Sequence, residues 1–371
     1  MSRQNRKVRV LAFYLPQFHP IPENDEWWGK GFTEWRSVVK ARPAFKGHYQ
    51  PHLPADLGFY DLRLSEAREA QAGLARDYGI HGFVYYHYWF NGRLLLNRPF
   101  DEVLELGRPE LPFCLCWANE NWTRAWDGQQ RHVLLEQHYS EIDDRQHVQW
   151  LAKAFQDTRY IRIGGKPLFM VYRASKLPNA NRTVEIWREE AHKSGIGELY
   201  LVCVQSFVEE HGDPTNVGFD AAVEFQPDWR NLGPPTNGRI LSYLTAKAGL
   251  SLGSRQRNSV FDYSSVVEKM LAKPSPRYTL FRCVMPSWDN TPRRPKGAHI
   301  FANSTPSAYE SWLRNVISRF DPPSPEEDFV FINAWNEWGE GCHLEPCLRW
   351  GHGYLQATRN ALSAANGTEP K

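Results

Sequence analysis

The chain has 371 residues, a formal net charge of +2 and 42% hydrophobic residues. That balance leaves no electrostatic footprint for a nucleic-acid or membrane-surface partner, and no run approaches the ~18–20 apolar residues of a transmembrane segment. The basic start, Met1 to Lys7, leads into a short apolar stretch broken at Pro16 and Gln17; this is no signal-peptide core, so a cytoplasmic location is expected.

Apolar, β-rich runs predict strands at 8–18, 82–90, 111–118, 167–172, 200–206, 221–225, 278–285 and 329–334. They are almost continuously apolar, as parallel strands covered on both faces are. Amphipathic patterns predict helices at 61–78, 142–155, 183–194, 261–272, 307–320 and 354–365. In the first of these, Leu62, Leu64, Ala67, Ala70 and Leu74 recur among charges. Eight strands with intervening helices predict an α/β fold, a (β/α)8 TIM-type barrel, as a single domain over 1–371 with long βα loops. The irregular stretch 227–258 reads as a loop excursion between the sixth and seventh strands. A doubly wound open sheet is the alternative, but no Gly-x-Gly-x-x-Gly follows the first strand.

Barrel active sites form at the C-terminal ends of the strands, and polar-aromatic clusters follow the predicted strands here. Aromatics make up 14% of the chain, including fifteen tryptophans, many of them beside polar residues. A core does not need that interleaving, whereas a carbohydrate cleft does: rings stack on a sugar's apolar face and amides bond its hydroxyls. Tyr14, His87, Trp117, Asn119, Glu120, Trp122, Trp126, Trp288, Asp289, Asn336 and Trp338 are therefore expected to bind substrate around one opening. Each has a plainer explanation taken singly. His87 suits a hydrogen-bonded core position, and the Asp289 to Pro292 stretch suits a turn.

The last strand leads into Phe-Ile-Asn-Ala-Trp-Asn-Glu-Trp-Gly-Glu-Gly, where Glu337 and Glu340 stand three positions apart. In a helical or tight turn such side chains share one side, with Cβ atoms roughly 5–6 Å apart. Carboxyl groups about 5–5.5 Å apart are the spacing of retaining glycoside cleavage. By spacing alone, an acidic loop after a buried strand explains the pair equally well. Of the six cysteines, Cys114, Cys116, Cys203 and Cys283 fall in strand-like runs and read as buried free thiols. Cys342 and Cys347 flank His343 but match no zinc spacing, so neither metal nor other cofactor is expected.

Six stretches together carry a family resemblance: 12–20 (AFYLPQFHP), 31–35 (GFTEW), 85–90 (YYHYWF), 117–124 (WANENWTR), 288–293 (WDNTPR) and 333–341 (NAWNEWGEG). The chain resembles the WbsX-type family of bacterial polysaccharide gene clusters, also described as glycoside hydrolase family 99-like. More distantly it is similar to the family 99 endo-α-mannosidases and endo-α-mannanases. The match there is at Asn336, Glu337, Trp338, Glu340 and Gly341. The resemblance implies a (β/α)8 barrel with Glu337 as base on the substrate's own 2-hydroxyl and Glu340 as acid on the leaving oxygen. A 1,2-anhydro sugar is the implied intermediate. Glu340 then needs a raised pKa while Glu337 stays ionised. Three functions remain open: a retaining hydrolase of an α-linked glycan, a glycosyltransferase of O-antigen or capsular polysaccharide assembly, and a non-catalytic glycan-binding protein. All three have a glycan or polysaccharide as the partner.

Overall fold

The computed structural model describes residues 8–124, 129–237, 258–294 and 296–365. Eight strands form its centre: β1 (Arg9–Tyr14), β2 (Ile80–Phe90), β3 (Phe113–Trp117), β4 (Lys166–Val171), β5 (Tyr200–Gln205), β6 (Ala221–Glu224), β7 (Leu280–Val284) and β8 (Phe329–Ile332). Each pairs in parallel with its sequence neighbours, and β8 returns to β1 with Arg9 opposite Phe329 and Ala12 opposite Ile332. The sheet is closed, which excludes the doubly wound alternative and leaves no free edge on these strands.

The crossovers carry α1 (Pro22–Trp28), α2 (Trp35–Lys40), α3 (Ser65–Asp77), α4 (Arg98–Leu106), α5 (Glu141–Phe155), α6 (Ala180–Lys193), α7 (Tyr263–Leu271) and α8 (Pro306–Arg319), with α9 (Gly353–Ala365) after the last strand. Polar side chains set several helix starts. Ser140, Asn179, Asp262 and Thr305 each accept a bond from a first-turn backbone N–H. The β5–β6 connection uses only the 3-10 turns Val208–Glu210 and Pro214–Val217. The first strand is shorter than the 8–18 predicted. Its continuation is diverted at Leu15, whose N–H and C=O are both bonded by the Asn336 side chain. The proposed excursion 227–258 holds an ordered start to residue 237, and its remainder up to 257 lies outside the described residues.

Rings from neighbouring strands and from the end of β6 fill the barrel. Phe13 packs on Tyr86, Phe225 and Phe331, at centroid separations of 5.7, 5.1 and 6.0 Å. The layer between barrel and helices holds the other faces: Tyr14 against Phe83 and Tyr85, and Tyr85 against Phe100 of α4. Both layers are aromatic, so the strands read alike on their two sides.

Candidate active site

Past β8 the chain makes a small hairpin. Asn336–Glu337 pairs antiparallel with Cys342–His343, closed by the 3-10 turn Trp338–Glu340 and by Gly341 at φ 57°. That positive φ is cheap only for glycine. The tight turn brings both glutamates to one cation. Arg293, from the loop after β7, donates to Glu337 over 2.9 Å and pairs with Glu340 over 2.7 Å. Its Nε and a second N–H grip Glu34, the residue ahead of α2. A Cβ on Gly339 would lie 2.1 Å from Glu34 Oε1 and 2.9 Å from Arg293 Nε, so the position between the glutamates has room only for hydrogen.

Three carboxylates thus share one largely buried guanidinium. The side chain of Glu34 is 0% exposed, that of Glu337 8% and that of Glu340 20%, which makes Glu340 the more open of the pair. Burial pushes the Glu337 carboxyl up to about 8, opposed by Arg293 and assisted by Glu340 and Glu34. Burial also raises Glu340, against the pull of Arg293. Both carboxyls are lifted, and their titration belongs to the pair and not to either group alone. Arg293 is held more firmly protonated than usual by its three partners, despite its burial.

The pair lies at the floor of a cleft of about 790 Å³ at the C-terminal end of the barrel. Trp27, Trp122, Tyr86, Tyr88, Tyr172, Trp229, Trp288 and Arg294 line it. Trp122 meets Trp27 and Tyr88 edge to face. Of the residues expected here, Glu120, Trp122 and Trp288 line the cleft with Glu337 and Glu340. Trp126 lies outside the described residues.

The remaining seven sit elsewhere. Tyr14 faces α3 and donates to Gln71 over 2.7 Å. His87 bonds His147 of α5 over 2.9 Å, stacks on Trp150, and is pushed down to about 3 by burial. Trp117 is fully buried, donating to the Trp89 carbonyl. Asn119 bonds both the N–H and C=O of Arg173, tying the end of β3 to the end of β4. Asp289 accepts from His48 and Gln50, while its backbone N–H holds the Glu340 carbonyl at 2.6 Å. Asn336 is spent on Leu15. Trp338 is fully buried, stacked on His343 and donating to Glu345. These side chains support the site from behind; they do not line it.

Sequence reasoning passed over Tyr86 and Trp229; Glu34, Tyr172 and Arg293 fall in the polar clusters after their strands, but no site role was assigned to them. Period-2 alternation was the available signal on β2. Once Tyr85 and His87 face the helices, Tyr86 and Tyr88 must face the interior. Nothing local pairs Glu34 with Arg293, which are 259 positions apart. All six cysteines are buried and free, and Cys342 and His343 are occupied by the Asn333 carbonyl and by His52 and the Glu345 carbonyl. Among the described residues no helix is long and apolar enough to cross a membrane, and no His/Cys/Asp/Glu group is placed to hold a metal.

A closed parallel barrel of this kind, here with paired carboxylates at the end of its last strand, is a fold found in solved carbohydrate-active enzymes. Solved structures agree on the fold. A glycoside hydrolase-like protein matches with TM-score 0.59 at 15% identity, covering 97% of this chain and 95% of that one. A family 99 endo-α-mannosidase from Bacteroides thetaiotaomicron matches with TM-score 0.56 at 13% identity, covering 99% and 100%. The chain belongs to the WbsX glycosyltransferase family, whose model matches residues 10–358. It is 46% identical over 357 residues to the uncharacterized protein WxcX of Xanthomonas campestris pv. campestris, in two strains, covering 96% of this chain. The chain spans about half the length of these relatives.

Proposed function

We propose that the chain is a retaining glycosidase acting on an α-linked glycan, with Glu337 and Glu340 as its proton-handling groups. The observation that carries this reading is the buried glutamate pair on one guanidinium at the floor of an aromatic cleft. A carboxyl lifted into the neutral range both holds and releases a proton at working pH. In the first step, starting from the state in which the proton shared by the pair sits on Glu340, the ionised Glu337 takes the proton of the sugar's 2-hydroxyl, and the oxygen attacks C1. The glycosidic C1–O bond breaks as Glu340 gives its proton to the leaving oxygen. In the second step Glu340 takes a proton from water, whose oxygen opens the three-membered ring at C1, while Glu337 returns the proton to the 2-oxygen. Two inversions at C1 give net retention. Trp122 and Trp229, which line the same cleft, are the rings proposed to stack on the sugar, and Arg293 compensates charge as protons move.

The family's description as a glycosyltransferase favours a second reading, in which the cleft receives an activated sugar and Arg294 faces its phosphates. One experiment separates the two. Purified chain is incubated with diverse bacterial polysaccharides under EDTA and without any nucleotide-sugar, and new reducing ends are measured. Release under those conditions is the expected result, because the chemistry above uses only carboxylates and the sugar's own hydroxyl. Turnover seen only with a nucleotide-sugar donor, read as nucleotide release, would replace the hydrolase with the transferase.

A further inference from the structure

We infer that Glu34 is a positioning residue: by fixing Arg293 and adding a third negative charge, it sets the proton affinity of the Glu337–Glu340 pair. The inference deepens the proposed reaction and rests on it for the catalytic consequence.

The geometry is specific. Glu34 is fully enclosed, so its carboxylate has no access to a substrate in the cleft. Both of its oxygens are spent on the Arg293 fork, through Nε and a 2.8 Å bond from the terminal nitrogen that also serves Glu337. A bidentate grip of this kind fixes the plane of a guanidinium. Held so, Arg293 presents one terminal nitrogen to Glu337 and the other to Glu340. The scaffold protects this arrangement. The peptide ahead of α2 is anchored by Ser37 and Val38 N–H groups on the Glu34 carbonyl. Trp35 packs on Trp338 at 5.5 Å. The position between the two glutamates is a glycine whose Cβ would collide with the Glu34 carboxylate.

With all three carboxylates ionised, the cluster of Glu34, Glu337, Glu340 and Arg293 carries a net charge of −2, from three negative groups and one positive. Burial makes that state costly, and a proton on the catalytic pair relieves it. Other groups facing the pair are Tyr86 and Tyr88 of β2, Tyr172 after β4, Cys342 of the hairpin, Arg294 of the β7 loop, and Glu120 and His299 at the cleft wall. Burial keeps the three phenols and the thiol protonated, so they add no charge near neutrality. Glu34 is the fully enclosed carboxylate that raises the pair without touching the cleft.

The test follows the carboxyls themselves, independently of any substrate. Protein labelled with carbon-13 at the glutamate δ-carbon is titrated by NMR, with E337Q and E340Q supplying the assignments. E34Q keeps the side-chain shape and removes the charge. The expected result is a downward shift of the pair's midpoints by about one pH unit, the scale of one nearby charge. R293M is expected to shift them upward, and E34D, which keeps the charge, to restore them. Opposite shifts from Glu34 and Arg293 are a signature that general loosening does not produce. Where a glycan is turned over, the pH–rate profile of E34Q should move to lower pH with the midpoints. Midpoints unchanged in E34Q would overturn the inference. If E34Q does not fold, G339A, whose methyl displaces the Glu34 carboxylate, takes its place, and unchanged midpoints there overturn it equally. Shifted midpoints with no glycan turnover would leave the charge-setting role intact and count against the proposed reaction alone.

Discussion

Glu337 and Glu340 share one guanidinium, yet the proposed chemistry asks different things of them. E337Q and E340Q are each expected to lower turnover by at least ~10²-fold, the lower end of what a positioned acid or base supplies. A substrate with a good leaving group should partly rescue E340Q, because its leaving oxygen needs no proton, and should not rescue E337Q. Equal rescue of both, measured in purified variants, would remove the acid–base assignment. Around them Trp122 and Trp229 line the cleft half-buried. Trp122→Ala and Trp229→Ala should each weaken glycan binding by about 1–3 kcal/mol, the range for aromatic platforms under stacked rings. Calorimetric affinities equal to those of the unmodified chain would refute that role. Trp117 and Trp338, buried under the site, should instead report through stability.

At the level of elements, β2 decides most of what the cleft looks like. Its run Ile80–Phe90 is buried almost throughout, so apolar content announced a strand and concealed which side faced inward. A one-residue error of face exchanges Tyr86 and Tyr88 for Tyr85 and His87. The same strand also needs a glycine for packing. A Cβ at Gly82 would stand 2.4 Å from the Pro112 carbonyl oxygen and 2.9 Å from its carbon, both backbone atoms of the adjoining β3 segment. Gly82→Ala is expected to cost about 1–3 kcal/mol, as overpacking does, read as a lower urea midpoint. An unchanged midpoint would show that the β2–β3 contact yields more easily than backbone should. The hairpin after β8 behaves oppositely, since its Asn-Glu-Trp-x-Glu-Gly pattern was legible while its supports were not. Asn336 and Trp338 carry amide and indole groups that suit sugars equally well, and only the packing shows them committed to Leu15 and Glu345.

Across the whole molecule, buried titratable groups link stability to pH. Glu345 joins the β1 loop, α3 and the β8 hairpin by accepting from Tyr60, Gln71 and Trp338. Burial pushes it up to about 7, against those hydrogen bonds. A carboxyl raised in the folded state binds its proton more tightly there than in the unfolded chain. Its contribution is therefore fully present below the unfolded pKa and is lost as pH rises to the folded value. Relative to E345Q, the unmodified chain should lose about 1.4 kcal/mol per pH unit within that window. Paired urea titrations from pH 4.5 to 8 measure it, and a difference independent of pH would refute a titrating Glu345.

The barrel was readable in the chain because eight continuously apolar runs separated by amphipathic helices have few ways to bury both faces of every strand. Glu337 and Glu340 were readable because local spacing and the C-terminal position of the last strand both concern neighbours in sequence. What only the tertiary structure decided is which polar side chains share the cleft. Glu34 meets Arg293 across 259 positions, and His87, Asn119 and Asp289 turn to partners on other elements. Such choices depend on strand face, closure of the sheet and competition among hydrogen-bond partners distant in sequence, none of which a single segment encodes.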